Sequence, residues 1–129
     1  MKEELQSTCH FDKINDVCFP ARFSKVFLTC SKSDIRVWDR KKKTELLRIQ
    51  LKGVECRTIC VTDDGKSIVS GWSDGKIRLF APESGKLKSD INDAHEDVTA
   101  LAVTSDNKMI VSGGSKGKVR MWGMRSGKM

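Results

Sequence analysis

His95 and Ser112 are a pair of side chains in this 129-residue sequence that could carry out nucleophilic chemistry. With an acidic neighbour they would form the Ser-His-acid set of a hydrolase, in which the histidine takes the proton of the attacking hydroxyl. Such a serine normally stands at the centre of a G-x-S-x-G turn, whereas Ser112 directly follows the apolar run MIV. We therefore assign both residues a structural role and predict no enzymatic activity.

The glycine-rich segment SGGSKGKV at 112–119 invites comparison with a phosphate-binding loop. That loop has the spacing GxxxxGK[ST] and joins a strand to a helix. The spacing is absent here, and apolar runs flank the segment on both sides, so we interpret it as a turn between two strands. No nucleotide or other cofactor is predicted.

Five cysteines, at positions 9, 18, 30, 56 and 60, could in principle bind a metal or form disulfides. Structural zinc sites need closely spaced pairs of ligands. Cys9 and His10 are adjacent, but no second pair has suitable spacing and no C-x-x-C occurs, so no metal site is predicted. The odd number favours free thiols in a reducing, intracellular compartment.

The bulk composition is that of a folded, soluble protein with a positive charge. Lys and Arg number 24 against 17 Asp and Glu, which gives a net charge of +7. We expect no membrane segment, since no apolar run approaches the roughly 18 residues that would be needed. The charge favours acidic partners, of which nucleic acid and the acidic surface of a cytoskeletal polymer are two.

A repeat of 42 residues determines where these side chains lie. Trp38, Phe80 and Trp122 are separated by this step. A period of about 40–45 residues, with short apolar runs and turns, is typical of β-propeller blades of the WD type. The same step relates two further sets, Ile35–Ile77–Val119 and Arg36–Arg78–Arg120.

Each block contains short apolar or β-branched runs bounded by turn residues, which predict strands. We therefore predict an all-β fold of three consecutive four-stranded antiparallel blades, the last of them incomplete. The expected strands are 14–19, 26–30, 35–39 and 45–51, then 56–61, 67–71, 76–80 and 86–91, then 98–103, 109–113 and 118–122. The division is an N-terminal extension at 1–9 and blades at 10–51, 52–93 and 94–129.

Three blades are fewer than the four to eight that close a propeller. A single sheet cannot bury both of its faces, so each blade needs neighbours. Three outcomes follow: the chain is a fragment, several copies assemble, or edge strands stay exposed to aggregation.

The blocks resemble the WD-repeat family, whose blades carry a buried tetrad of His, Ser or Thr, Asp and Trp. Gly53 and Phe80 stand where the second block would have His and Trp, and Lys116 replaces Asp in the third. The resemblance places the tetrad at His10, Thr29, Asp34 and Trp38, at Ser70 and Asp74, and at His95, Ser112 and Trp122.

Longer strings resemble the cilia- and flagella-associated WD-repeat proteins of motile axonemes. They include CHFDKINDVCFP and GKIRLFAPESG, and the likeness covers about residues 8–123. It implies three successive blades of the second of two tandem propellers, located in the axoneme inside the lumen of the B-tubule. The implied partners are tubulin and other axonemal proteins, with no membrane, small-molecule substrate or nucleic acid, and no catalytic activity is implied.

In a propeller the first-to-second and third-to-fourth strand turns share one face, which we call the basic turn face. Eleven basic residues fall on it against five acidic ones, so it carries nearly all of the net charge. Trp72 is expected to be exposed on the opposite face, as inter-blade packing or as a contact anchor. The partner-binding candidates on the basic turn face are Arg40, Lys41, Lys42, Lys43, Lys66, Lys86, Lys108 and Arg125.

The predicted function is that of a non-enzymatic scaffold, part of a protein inside ciliary doublet microtubules that stabilises the axoneme for motility. The alternative is a soluble WD adaptor that recruits a peptide or a ribonucleoprotein complex in the cytoplasm or nucleus. A basic rim that is merely solvated would also account for the charge.

Overall fold

The computed structural model describes residues 12–20 and 25–124, and in these residues the chain forms eleven β-strands and no helix. None of the described segments is therefore a helix that could cross a membrane. Each predicted strand is present to within one residue at either end. The strands are β1 (Ile14–Cys18), β2 (Val26–Ser31), β3 (Asp34–Asp39), β4 (Glu45–Gln50), β5 (Cys56–Val61), β6 (Ile68–Trp72), β7 (Ile77–Phe80), β8 (Leu87–Ile91), β9 (Val98–Val103), β10 (Met109–Gly114) and β11 (Val119–Gly123).

The strands form three antiparallel sheets in which neighbours in sequence are neighbours in space. Blade 1 has the order β1-β2-β3-β4, blade 2 the order β5-β6-β7-β8, and blade 3 the order β9-β10-β11. The all-β prediction of consecutive WD-type blades, with the last lacking its outer strand, is confirmed for the described residues.

Equivalent turns in successive blades have the same backbone conformation. Gly65 and Asn107, which are 42 residues apart, have φ of 72° and 62°. Lys43 and Gly85, also 42 apart, have φ of 57° and 74°. Gly adopts this left-handed region freely, and Asn does so more readily than most other residues. Lys43 adopts the same conformation as Gly85 because both occupy the same point of the hairpin, where the backbone N–H donates to the carbonyl four residues earlier.

The hydrophobic core lies between the blades and not inside any one of them. Leu28 and Ile35 of blade 1 pack with Cys56 and Ile59 of blade 2. Ile77 and Leu79 of blade 2 pack in the same way with Val98 and Ile110 of blade 3. Full burial of such a side chain contributes roughly 1.5–3 kcal/mol, so each blade depends on its neighbour.

Polar contacts fix how each blade sits on the next. Asp16 accepts hydrogen bonds from the Thr58 hydroxyl at 3.1 Å and from the backbone N–H of Ile59 at 3.0 Å. Arg57 then reaches forward from blade 2 to Asp97 at 2.8 Å. These links tie the inner strand of one blade to the start of the following blade.

Candidate functional site

Blade 1 holds three of the four predicted tetrad residues in contact with polar partners. The indole N–H of Trp38 donates to the Thr29 hydroxyl at 2.9 Å. Asp34 is buried, where it accepts from the Ser31 hydroxyl and from Arg36 Nε. His10, the fourth member, lies outside the described residues. Thr29 thus joins the second strand to the third inside the blade.

Blade 3 brings its three predicted tetrad members together around one hydroxyl. The Ser112 Oγ lies 2.8 Å from His95 Nε2 and accepts the indole N–H of Trp122 at 2.9 Å. Ser112 is buried, and its hydroxyl lies within hydrogen-bonding distance of these two rings. Burial, helped by the nearby charge of Arg120, lowers the pKa of His95. The imidazole is therefore neutral at physiological pH.

The Asp position of blade 3 is filled by Lys116, which pairs with Glu96 at 3.4 Å on the surface. No carboxylate is thus provided at the tetrad position that could orient His95 as in a hydrolase. The sequence GGSKG at 113–117 matches the G-x-S-x-G pattern of a nucleophile elbow, with Ser115 at its centre. It forms the turn between β10 and β11, and such an elbow joins a strand to a helix.

Trp72 in blade 2 is not exposed, contrary to the prediction, but lies in the core between blades 1 and 2, in agreement with the inter-blade packing alternative. It ends β6 with no solvent exposure, and its indole N–H donates to the Ser70 hydroxyl at 2.8 Å. Phe80, at the usual Trp position, packs edge-on against it at 6.5 Å between ring centroids. Trp72 therefore makes the hydrogen bond that Trp38 and Trp122 make in the other blades, and it cannot serve as a surface anchor.

The reason for this replacement lies at the equivalent positions of blade 3. Gly114 corresponds to Trp72, and a Cβ added there would lie 2.5–2.7 Å from the ring and Cβ of His95. Blade 2 has Gly53 where blade 3 has His95, so no imidazole occupies that space. Without a histidine at position 53 there is room for a large ring at position 72, and its indole N–H reaches the Ser70 hydroxyl.

Asp74, the remaining tetrad residue of blade 2, pairs with Arg78 at 2.7 Å. Burial opposes ionisation of Asp74, but hydrogen bonds from Arg78 and from the Lys76 backbone N–H outweigh it and lower the pKa of the carboxyl. The guanidinium of Arg78 also lies 5.3 Å from the centre of the Trp72 ring. Arg78 thus links the Asp position to the replacement tryptophan.

The turns of the basic turn face lie side by side, as the propeller arrangement predicts. The Arg40 N–H donates to the Lys25 carbonyl at 2.8 Å, and the Asp63 N–H donates to the Asn107 side chain at 2.6 Å. Arg125 lies outside the described residues. The described basic residues of this face are all exposed: Lys25, Arg40, Lys41, Lys42, Lys43, Lys66, Lys86 and Lys108.

The acids of the basic turn face are largely occupied by their own turns. Asp64 and Asp106, 42 residues apart, each accept from a threonine hydroxyl at 2.6 Å and from a lysine backbone N–H at 3.0 Å. Asp39 accepts in the same way from the backbone of Lys41 and Lys42. These hydrogen bonds lower the pKa of all three carboxyls, so the acids stay ionised within the turns while the lysine amines extend outward.

The protein-family model described as WD domain, G-beta repeat, matches residues 2–39, 47–80 and 85–123, which is most of the chain. The chain belongs to the WD40 repeat family. Each of its blades contains an indole-to-hydroxyl hydrogen bond, but blade 2 has no histidine at position 53 and blade 3 has Lys116 at the Asp position.

Among curated relatives, this WD40 chain is similar to three proteins named cilia- and flagella-associated protein 52. It is 54% identical over 78% of its length to that of Mus musculus, 53% over 79% to that of Chlamydomonas reinhardtii, and 52% over 78% to that of Homo sapiens. The chain spans only 16–17% of the length of these relatives. The resemblance predicted from the longer sequence strings is confirmed.

A cleft of about 480 Å³ opens between blades 1 and 2 of this WD40 chain, on the basic turn face. Leu28, Val37 and Ile68 form its apolar floor, while Lys25 and Glu83 line it as well. Sequence reasoning missed this cleft, because it depends on how two blades separate at their ends. Its volume lies within the roughly 300–1,000 Å³ that is usual for ligand-binding clefts, and its lining is mostly apolar.

The four described cysteines are free thiols. Cys56 is fully buried, as is Val98 at the equivalent position of blade 3. Burial, together with the neighbouring Cys18 and Asp16, raises the pKa of Cys60 to about 12. Such thiols are poor nucleophiles and behave as small apolar side chains.

Proposed function

We propose that this chain is a non-enzymatic scaffold segment of a ciliary WD40 protein, and that its basic turn face binds the acidic tubulin surface inside doublet microtubules. The observation that carries the proposal is the identity of more than half over 78–79% of the chain to proteins named for cilia and flagella. The role would be mechanical: rigid blades held against the microtubule wall.

The charge distribution supports a contact of this kind. The described part of the basic turn face carries eight basic against five acidic residues, and three of those acids are bonded to turn N–H groups. Lys41, Lys42 and Lys43 stand next to one another on a single turn. Clustered exposed amines attract an acidic surface over about a Debye length, roughly 8 Å at physiological salt.

Co-sedimentation with tubulin polymers tests the proposal. The test variant carries Lys41→Gln, Lys42→Gln and Lys43→Gln, which removes three charges and leaves the backbone N–H groups that bond Asp39. The matched control carries Lys32→Gln, Lys116→Gln and Lys118→Gln, three exposed charges in the turns of the opposite face. Closed microtubules are compared with open tubulin sheets, whose lumenal surface is accessible.

We expect binding to open sheets in preference to closed microtubules, weakened by added salt and by the test variant but not by the control. Equal losses in the two variants would assign the binding to net charge alone. Salt-insensitive binding would contradict the use of the basic turn face. Absence of binding to either polymer would contradict the tubulin proposal.

The alternative is a WD adaptor that recruits a peptide, and the apolar cleft between blades 1 and 2 favours it. The mostly apolar lining suits an apolar segment of a peptide, and Lys25 at the cleft suits an acidic residue beside that segment. An adaptor of this kind would bind neither tubulin polymer, so the same experiment separates the two functions.

A further inference from the structure

Thr44 carries an exposed hydroxyl on the basic turn face, directly after a run of positive charge. It is the last residue of the turn between β3 and β4, and the sequence RKKK at 40–43 precedes it. Its carbonyl accepts the Asp39 N–H at 2.8 Å, which closes the turn. The side chain is exposed, so another protein can reach its hydroxyl from solvent.

Other hydroxyls on this face differ from Thr44 in their contacts or in the sequence before them. Thr62 and Thr104 each donate to an aspartate of their own turn at 2.6 Å. Ser84, in the equivalent hairpin of blade 2, is exposed as well. The sequence before it is APE at 81–83, which carries no positive charge. Exposure and a basic sequence before the hydroxyl therefore coincide at Thr44.

We propose that Thr44 is a phosphorylation site for a protein kinase that recognises basic residues before its acceptor, and that the phosphate neutralises the positive charge of this turn. Kinases select substrates in part by charge pattern, and an acidic peptide-binding groove is complementary to residues 40–43. The γ-phosphoryl group of ATP moves to Thr44 Oγ1 while its bond to the β-phosphate oxygen breaks. ADP leaves with the bonding electrons, and the hydroxyl proton goes to the catalytic aspartate of the kinase.

The charges along this turn determine what the phosphate changes. Residues 40–43 carry four positive charges, and Asp39 and Glu45 carry two negative ones, so four minus two leaves +2 on residues 39–45. Glu45 pairs with Arg48 at 3.0 Å, and Asp39 accepts from N–H groups of its own turn. A phosphate adds about −1.5 to −2 charges at neutral pH. Phosphorylation therefore cancels most of the positive charge that this turn presents.

The consequence is that phosphorylation releases this turn from an acidic partner. Exposed amines attract such a surface through their net charge, and a phosphate beside them removes that attraction. The release from tubulin rests on the function proposed above. The acceptor site and the neutralisation do not, so both can be tested without any partner.

Phosphorylation of the folded chain tests the acceptor site. The chain is incubated with ATP, Mg²⁺ and a kinase that selects basic residues before the acceptor, and mass spectrometry locates the phosphate. We expect the phosphate on Thr44 and not on Ser84, and we expect Thr44→Val to abolish it. The variant with Lys41→Gln and Lys42→Gln should be phosphorylated at least about tenfold more slowly, because it lacks the charges that the kinase recognises.

The control variant carries Lys116→Gln and Lys118→Gln, which remove two exposed charges from the opposite face. It should be phosphorylated at the rate of the unchanged chain. Absence of phosphate at Thr44 of the folded chain would overturn the proposal. Equal rates at Thr44 and Ser84 would overturn recognition by charge, since exposure alone would then select the hydroxyl.

Phosphorus NMR of the phosphorylated chain tests the neutralisation. Neighbouring amines favour the doubly charged phosphate, so its second pKa should be lower than in a chain with Lys41→Gln, Lys42→Gln and Lys43→Gln that has been phosphorylated by longer incubation. Equal pKa values in the two chains would overturn the neutralisation.

Co-sedimentation with open tubulin sheets tests the release. The phosphorylated chain should bind severalfold more weakly than the unphosphorylated chain, whereas Thr44→Val should bind like the unphosphorylated chain. Undiminished binding after phosphorylation would overturn the release. If the unphosphorylated chain binds no tubulin polymer, the function proposed above fails, and the location and pKa of the phosphate still decide whether the site exists.

Discussion

At the residue scale, one hydroxyl in each blade receives an indole N–H. Thr29, Ser70 and Ser112 are these acceptors, at 2.8–2.9 Å from the donor nitrogen. In blades 1 and 3 the donor comes from the third strand, and in blade 2 it comes from Trp72 on the second strand. The blade therefore preserves the hydrogen bond and not the position of the tryptophan.

Two substitutions of Trp72 should separate the contribution of the ring's volume to stability from the contribution of its hydrogen bond. Trp72→Phe keeps most of the packing but loses the donor to Ser70, which should cost about 1 kcal/mol of unfolding free energy. Trp72→Ala also empties a buried site and should cost about 3–5 kcal/mol. Urea denaturation measures both, with the exposed Leu46→Ala as a control that changes stability little. Near-wild-type stability of Trp72→Ala would contradict the assignment.

The neutral His95 predicts a pH dependence of stability with a definite sign. Because burial lowers its pKa below the usual 6.5, the unfolded chain binds a proton more readily than the folded chain between the lowered value and 6.5. Unfolding free energy should therefore fall as the pH drops through that range. Urea denaturation from about pH 7.5 to 5.5 of a His10→Gln chain measures this. Adding His95→Gln should flatten the curve, and an unchanged slope would refute the interpretation.

At the element scale, the sequence was sufficient to locate the strands. Their apolar residues recur at fixed points of the 42-residue repeat, and turn residues separate them. The local sequence pattern and the packing of the blades therefore favour the same strands. The resemblance to WD repeats pointed to the members of blades 1 and 3, and the described ones include hydrogen-bonded contacts of Trp38 with Thr29 and of Ser112 with His95 and Trp122. The role of Trp72 could not be predicted in this way, because it depends on space left by an absent histidine. The joint occurrence of Gly53, Phe80 and a bulky residue at 72 was the available signal.

Two equivalent glycines allow the docking of one blade on the next to be measured. Gly75 and Gly117 have φ of 83° and 84°, so an alanine is strained at either position. At Gly75 its Cβ would also lie 1.9 Å from the His95 carbonyl, whereas at Gly117 nothing lies within 4 Å.

Gly117→Ala should cost about 1–2 kcal/mol of unfolding free energy from the backbone alone. Gly75→Ala should cost roughly a further 1–3 kcal/mol, because the turn must move away from the following blade. Chemical denaturation of the two variants side by side gives the difference. Equal losses would indicate that the turn of blade 2 yields without strain and does not hold blade 3.

At the scale of the whole molecule, charge and apolar surface are segregated. Exposed amines gather on the turns of one face, while four exposed apolar residues lie on β1 and β11: Ile14, Val17, Val119 and Met121. The repeat predicted the charged face, since loop order alone assigns turns to faces. The cleft between blades 1 and 2 required the packed structure, because it depends on how the two blades separate at their ends.

The one-indole-per-blade arrangement gives the chain a built-in optical label. Its three tryptophans, Trp38, Trp72 and Trp122, are all buried and divide evenly among the blades. Stacked repeats contact only their neighbours, so their stability is close to a sum of local terms and terminal units can loosen first. Variants that keep one tryptophan at a time would therefore report fluorescence emission from one blade each. The order in which the three emission maxima shift to longer wavelength would show which blade unfolds first.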